Sequence, residues 1–435
     1  MSERMALRLY SLLTRVLAPL ALGFLAFKSW RSGGKPQLGQ RLGWGAPRLN
    51  GGIWLHAVSV GEVQAALPLL RSLRERYPDR PILVTTTTTT GYARVSEALG
   101  DKVQQAYLPY DTPGAVKRFM REVRPDLVII IETELWPNLY YAIRRAGAPL
   151  LLANARLSAR SARGYSRLMP LVRQTVAQID KIAAQSNDDA AHFYGIGAAQ
   201  EQLVVTGNLK FDLSVPEQAI AEGRALRQRL GGRPTWIAAS THEGEDERVL
   251  QVHARLRRDE PDLLLILVPR HPQRFDRVAA SVKSAGFRLA RRSQGQGDAS
   301  TEVYLGDTMG ELMTLFAASD IAFVGGSLVP VGGHNLLEPA ALGLPVLTGP
   351  HVFNFKYVTE KLVEGGGAEV VETDEELRLA VLGLLVGVEH RAEIGEAARR
   401  QVEGNRGALD RTLSLVDTLL VDKGPSGNPD QLGRV

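Results

Sequence analysis

Apolar and polar positions change their period repeatedly along this chain, and each change marks out an element. Runs of consecutive apolar residues, rich in Ile, Val and Leu, occur at 53–58, 82–86, 127–131, 150–153 and 182–184. Short runs of this kind predict strands buried on both faces, as in a parallel sheet. Between them, at 63–76, 114–124 and 137–146, apolar residues return every three or four positions, the spacing of a helix. The second half repeats the style, with strands expected at 236–239, 263–268, 321–324 and 345–347. Helices are expected there at 243–258 and 335–342, followed by a long helical stretch at 374–420 packed across both halves.

Strand and helix alternating in this way through two halves of similar length imply two doubly wound domains. The seam falls at 205–217, VTGNLKFDLSVPE. The expected fold class is therefore α/β, two Rossmann-like domains facing each other across a cleft, with a helix added at the N-terminus. The expected boundaries are 1–30 for that helix, 31–210 for the first domain and 211–421 for the second, whose last helix crosses back. The remainder, 422–435, is loose by composition.

The stretch 16–27, VLAPLALGFLAF, is apolar throughout and lies between Arg15 and Lys28. It is shorter than the roughly 20 residues that span a bilayer. Extension back to Leu7 lengthens it but brings Arg8 and Arg15 inside. No small-residue cleavage pattern follows Phe27, and Trp30 between Lys28 and Arg31 suits a membrane–water interface. An uncleaved membrane anchor is expected, with spanning and interfacial placements both open; the alternative is an amphipathic helix packed on the body.

Composition narrows the function. The 435 residues are 44% hydrophobic and 23% charged, a globular balance. The chain has no cysteine, which excludes disulfides, thiolate metal sites and a cysteine nucleophile. Residues 1–50 hold eight Lys and Arg against one acid, Glu3, a local charge of +7 that leaves the rest at −2 within the total of +5. A basic N-terminus on a near-neutral body suits an anionic lipid surface. Aromatic and basic residues are not interleaved as a stacking platform requires, so no nucleic-acid partner is expected.

Ligands of doubly wound sheets bind beyond the carboxyl ends of the strands. The first such end is 56–62, HAVSVGE, which places Glu62 in the first turn of a helix. Glu62 either complements the helix dipole or acts in catalysis, and a helix N-terminus is expected to lower its pKa and weaken it as a base. The next, 131–137, IETELWP, puts Glu132 and Glu134 directly after an aliphatic strand. One is expected to face a ligand and the other to cap the following helix. The six threonines at 85–90 read as strand and turn or as a ligand loop.

In the second half, 267–272 (LVPRHP) places Arg270 at a strand end, suited to a phosphate or carboxylate, or to a surface salt bridge. Asp307, Thr308, Met309, Gly310 and Glu311 read as an N-cap and glycine-containing first turn able to cradle an anion. The richest segment joins 323–328 (FVGGSL) to 332–339 (GGHNLLEP), a strand, a glycine loop and a helix start carrying Glu338, which suits ribose hydroxyls. The acids at 188–189 and 245–247 read as helix starts with solvated faces. His56, His271, His334 and His351 are scattered, so no metal site is expected.

Taken in order, HAVSVGE, ETELWPN, NARLS, TGNLKFD, VPRHPQRF and GGHNLLEPAALG resemble the Kdo transferase family of Gram-negative bacteria, which has the two-domain GT-B fold. The likeness runs from the N-terminal helix to about residue 360. It implies inverting, metal-independent transfer of 3-deoxy-D-manno-octulosonic acid (Kdo) from CMP-Kdo to a lipid A precursor, lipid IVA. That is a step of lipopolysaccharide core biosynthesis at the cytoplasmic face of the inner membrane, and it needs no cofactor. By the resemblance Glu62 is the general base, and Glu132 and Lys210 stabilise the transition state. CMP falls to Pro269, Arg270, Met309, Gly310, Glu311, Asn335, Leu336, Leu337 and Glu338. The first domain then takes the acceptor and the second the donor. Relatives often carry proline near position 89, where this chain has Thr89. The rival readings are another GT-B enzyme using a UDP-sugar, a sugar-nucleotide epimerase of the same fold, and a non-catalytic membrane-surface protein.

Overall fold

The structure, a computed structural model, describes residues 3–31 and 37–421. These form two compact units: one from the chain up to Asp212 together with the residues from Arg406 onward, the other from Leu213 to Asn405.

The first unit is built on a parallel sheet of seven strands: β1 (Ile53–His56), β2 (Ile82–Thr86), β3 (Gln104–Tyr107), β4 (Leu127–Ile131), β5 (Leu150–Ala155), β6 (Lys181–Ala184) and β7 (Leu203–Val205). Their order is β3-β2-β1-β4-β5-β6-β7. Side chains alternate across the sheet, so each central strand feeds two cores. Val128 and Ile130 pack with Trp54, Phe119 and Tyr140 on one face, while Leu127, Ile129 and Ile131 join Leu55, Leu69 and Leu73 on the other. Burial on both sides is the reason β4, LVIII, is apolar at every position.

The second unit repeats the plan with β8 (Thr235–Thr241), β9 (Leu264–Pro269), β10 (Leu289–Arg291), β11 (Val303–Leu305), β12 (Ile321–Val324), β13 (Val346–Thr348) and β14 (Ala368–Val370). The order is β10-β11-β9-β8-β12-β13-β14, again all parallel. In both sheets the strand order reverses beside the first strand, between β1 and β4 and between β8 and β12. A crevice opens at such a reversal because successive crossover helices leave to opposite faces.

The helical stretch at 374–420 is three helices rather than one. Asp374–Val386 and Val388–Gly404 lie in the second unit, and Ala408–Val421 in the first. Gly387 separates the first two, and Asn405 and Gly407 (φ 90°) separate the last. Asp212 holds the start of the final helix, accepting the N–H groups of Gly407 and Leu409, each at 2.6 Å. Leu413, Val416 and Leu419 then bury in the core that contains Leu69.

At the other end, Glu3–Arg31 is one helix with Pro19 inside it. Its segment Met5–Gly23 is long and apolar enough to cross a membrane. One side packs on the helices Pro137–Arg145 and Met169–Val176. Ser11 Oγ donates to Asn138 Oδ1 at 2.6 Å, and the Tyr10 hydroxyl bonds Asp111. On the opposite side Leu9, Leu12, Leu13, Val16, Leu17 and Leu20 are 47–71% exposed. The interfacial side chains expected at 28–31 and the tail expected at 422–435 lie outside the described residues.

Candidate active site

In the first unit the candidate residues gather at the β1–β4 reversal. Ser59 is the N-cap of the helix Val60–Arg76. Glu62, in its first turn, reaches back over that turn and accepts the Val58 N–H at 2.6 Å and the Ser59 hydroxyl at 3.3 Å. Burial raises the Glu62 carboxyl to about 7; the Val58 N–H opposes this, and the charges of Glu132 and Glu134 add to it. The direction is opposite to that expected from the helix N-terminus. One dipole and one N–H do not replace the water that burial removes, and two neighbouring acids reinforce the loss.

Glu132 follows β4 with φ 62°, a left-handed conformation that costs roughly 1–2 kcal/mol for a residue with a Cβ. Its N–H is held by the Ala153 carbonyl at 3.0 Å. Glu134 is raised to about 6 by burial, with the nearby Trp136 opposing and Glu132 pushing it further. Neither acid caps the following helix. Asp111 does so, accepting from the N–H groups of Asn138 at 3.1 Å and Leu139 at 2.8 Å. Glu62 and Glu134 are therefore two raised carboxyls lying beside the charge of Glu132.

The threonine run is mostly scaffold. Thr87 and Thr88 donate their N–H groups to the Val58 carbonyl at 3.2 and 3.3 Å, tying the run to the Glu62 turn. Thr88 Oγ1 then caps the helix Thr89–Leu99 by accepting the Gly91 N–H at 3.0 Å. Thr89 is the first helical residue, the place in a helix that best admits proline. Lys210 sits on the turn Leu209–Phe211, which packs on the helix Val60–Arg76. Asn154, at the end of β5, anchors this turn by accepting the Leu209 N–H at 3.0 Å.

In the second unit the site is assembled around an acid whose sequence setting misleads. Glu245 and Asp246, expected on a solvated helix face, are 0% and 1% exposed. Glu245 accepts N–H groups from His242 (2.8 Å), Gly326 (2.7 Å), Ser327 (3.0 Å) and Leu328 (2.9 Å). It thereby fixes the glycine loop after β12 to the loop after β8. Asp246 takes the Thr241 hydroxyl at 2.6 Å and pairs with Arg274. Asp189 in the first unit is likewise buried, bonding the Leu157 N–H at 2.8 Å, whereas Asp188 is exposed as expected.

Two of the scattered histidines, His271 and His334, converge on His242. His242 and His334 place their Nε2 atoms 2.8 Å apart with stacked rings, and His271 meets His242 edge-on at 5.1 Å between centroids. Arg270, at the end of β9, has an exposed side chain whose charge is felt by both His242 and His334. Glu338 opens the helix Leu337–Ala341; burial raises its carboxyl, while Asn335 and Arg270 pull the other way. Asn335 bridges the turn, donating to Glu338 at 3.1 Å and accepting the Leu337 N–H at 3.1 Å. Leu336, Leu337 and Pro269 are buried supports.

The 307–311 segment departs from its expected form. The helix begins at Leu312, so Asp307 is not its N-cap. The Asp307 carboxylate is held by Arg291 (2.6 Å) and by the N–H and hydroxyl of Ser293. Glu311 is gripped by two nitrogens of Arg292, and Met309 and Gly310 (φ 83°) stand out toward solvent. Sequence reasoning left the ligand-facing and capping roles undivided between Glu132 and Glu134, misread Glu245 and passed over His242. Their one shared signal is position, within four residues of a strand's carboxyl end.

Two parallel Rossmann-like units in one chain define the GT-B class. A putative UDP-N-acetylglucosamine 2-epimerase from Listeria monocytogenes has the same fold, at TM-score 0.54 and 14% identity, covering 88% of this chain and 99% of that one. Sequence relatives are far nearer. A 3-deoxy-D-manno-octulosonic acid transferase from Haemophilus influenzae is 44% identical over 421 residues, 94% of this chain and 98% of that protein. One from Bordetella pertussis is 40% identical over 427 residues, 94% and 99%. The family described as 3-deoxy-D-manno-octulosonic-acid transferase (kdotransferase) matches residues 36–213. The chain belongs to this family and is a glycosyltransferase; the likeness to the epimerase is one of fold alone.

Proposed function

We propose that this chain transfers Kdo from CMP-Kdo to a lipid A precursor, lipid IVA, with inversion and without a metal ion, in lipopolysaccharide core biosynthesis. The observation that carries the mechanism is Glu62, a carboxyl raised to about 7 at a strand end beside Glu132 and Glu134. A base with its pKa near the working pH combines a useful ionised fraction with real affinity for a proton. Glu62 takes the proton of the acceptor hydroxyl as that oxygen bonds to the anomeric carbon of Kdo. The bond from that carbon to the phosphate oxygen breaks, and CMP leaves with the electron pair. Glu132 faces the developing oxocarbenium charge, and Lys210 the departing phosphate or the Kdo carboxylate.

In the second unit Arg270 supplies a planar cation for the phosphate and Glu338 an acceptor pair for the ribose. Pro269, Met309, Gly310, Glu311, Asn335, Leu336 and Leu337 complete the CMP site, the glycine conformations leaving backbone accessible. The charge of Arg270 supports a metal-independent departure of the monophosphate.

The N-terminal helix anchors the enzyme to the cytoplasmic face of the inner membrane. The bonds of Tyr10 and Ser11 to the first unit, with an apolar stripe opposite, support a helix lying in the lipid interface. The basic first fifty residues favour anionic lipids.

The test is transfer by purified protein from CMP-Kdo to tetra-acylated lipid A precursor, with products weighed by mass spectrometry. Glu62→Ala should abolish transfer and keep CMP binding nearly intact, and chelator should leave the rate unchanged. Transfer from UDP-sugars, with none from CMP-Kdo, would sink the proposal.

A further inference from the structure

His242 and His334 meet through their Nε2 atoms at 2.8 Å. At that distance one nitrogen carries the hydrogen and the other offers its lone pair. The uncharged couple thus holds one Nε2–H and, on the other ring, one Nδ1–H. A further proton has one place to go, the bare Nδ1 of the ring that donates. A second charge would put two hydrogens between nitrogens 2.8 Å apart. The couple therefore holds one positive charge and no more. The same contact leaves no space for a zinc ion, whose tetrahedral nitrogen ligands stand about 3.3 Å apart.

The surroundings build this couple deliberately. Gly326 has φ 67°, and a Cβ there would lie 2.8 Å from His334 Cδ2 and 3.0 Å from its Nε2. Glu245 fixes both sides at once, accepting the N–H of His242 and those of Gly326, Ser327 and Leu328. The charges facing the pair are Arg270 and Arg274 with His271 from the β9 end, opposed for His242 by Glu245. Burial lowers both imidazoles; the neighbouring rings add to it, as do Arg270 and Arg274 for His242 and Arg270 for His334, which falls to about 3. The couple is thus short of protons and set among arginines, a balance that an anion beside it reverses.

We propose that the His242–His334 couple takes up one proton when the donor's phosphodiester binds and returns it as an Nδ1–H hydrogen bond to a phosphate oxygen. The proton comes from solvent, and no covalent bond is made or broken in this step. His242 and His334 are then donor-binding residues beside Arg270, and they add charge only when the leaving group is present. This rests on the reading of the second unit as the donor site.

The experiment is titration calorimetry of the full chain at pH 7 with the 5′-methyl ester of CMP, a phosphodiester that does not itself titrate near neutrality. Measurement in two buffers of different ionisation enthalpy counts the protons exchanged. Between half a proton and one proton should be taken up on binding the ester, and none on binding cytidine. His242→Gln should abolish uptake and weaken the ester about tenfold, the loss of one charge-assisted hydrogen bond. Gly326→Ala, which displaces His334 but keeps both imidazoles, should do the same if His242→Gln folds poorly. Binding of the ester without uptake, or undiminished uptake in both variants, overturns the couple alone. No binding of either ligand overturns the donor-site reading and the couple with it.

Discussion

Glu62 accepts the backbone N–H of Val58 at 2.6 Å, and the carbonyl of that same Val58 accepts from Thr87 and Thr88. One residue thus joins the candidate base to the loop after β2. The base is positioned by backbone, while its proton affinity is set by burial and by Glu132 and Glu134. With donor saturating, the rate at low acceptor should rise with pH through the Glu62 ionisation near 7. Glu134→Gln removes a charge that raises the Glu62 pKa, so the midpoint should move to lower pH by a few tenths to one unit. A midpoint that stays put or rises in that variant would separate Glu134 from the base.

The raised Glu62 carboxyl also has a consequence for stability. Its folded pKa, about 7, exceeds its ordinary value of 4.5, so the folded chain holds this proton more tightly than the unfolded chain. The sign is therefore destabilising as pH rises from 4.5 to 7, and the full cost is present above 7. Glu62→Gln should stabilise the protein at pH 8 by roughly 1–3 kcal/mol and have little effect at pH 4.5. Denaturant unfolding at the two pH values measures the difference.

Glu245 is a buried acid whose side chain accepts from four backbone donors. Alanine there leaves those donors unpaired inside the second unit. The expected loss is about 3–5 kcal/mol, with melting about 6–12 °C lower and CMP binding lost through collapse of the glycine loop. Glu245→Gln keeps the shape but turns one oxygen into a donor facing N–H groups, so an intermediate loss of about 1–3 kcal/mol is expected. A Glu245→Ala chain that melts like the parent would refute the anchoring role.

These effects explain what the sequence disclosed and what it hid. β4 reads LVIII because both of its faces are buried, and its bounds are visible in the pattern. The edge strands β3 (QQAY), β7 (LVV), β10 (LAR) and β14 (AEV) are only partly covered, so their patterns are short or polar and pass unnoticed. The long C-terminal helical pattern survives two breaks because Gly387 and Asn405 interrupt it without changing its periodicity. Glu62 and Glu338 were legible as acids in first helical turns and Arg270 as a cation at a strand end. Glu245 was not, because its partners Gly326 to Leu328 lie some eighty residues away and offer backbone, which has no residue signature. The direction of the Glu62 shift was hidden for a related reason: its local neighbour is a helix start, while the burial that outweighs it is tertiary.

The N-terminal helix gives the last prediction. Leu9, Leu12, Leu13, Val16, Leu17 and Leu20 follow the i, i+3, i+4, i+7 spacing of one helix face, and Arg8 and Arg15 are exposed near its margin. The side bearing Tyr10 and Ser11 is bonded to Asp111 and Asn138, so the middle of the apolar segment stays at the surface of the first unit. A helix crossing the bilayer would have to carry that surface into the hydrocarbon or break these bonds. Burial of each exposed leucine contributes roughly 1.5–3 kcal/mol, so the Leu13→Glu, Leu20→Glu double variant should lose at least about a hundredfold in binding to vesicles with anionic lipid. Its melting should change little, since neither side chain packs on the unit. Alkaline carbonate should strip the parent protein from membranes, as it does for a helix held at the interface. Parent protein that resists carbonate and salt together would establish a spanning helix instead, and would require the bonds of Tyr10 and Ser11 to open in the membrane.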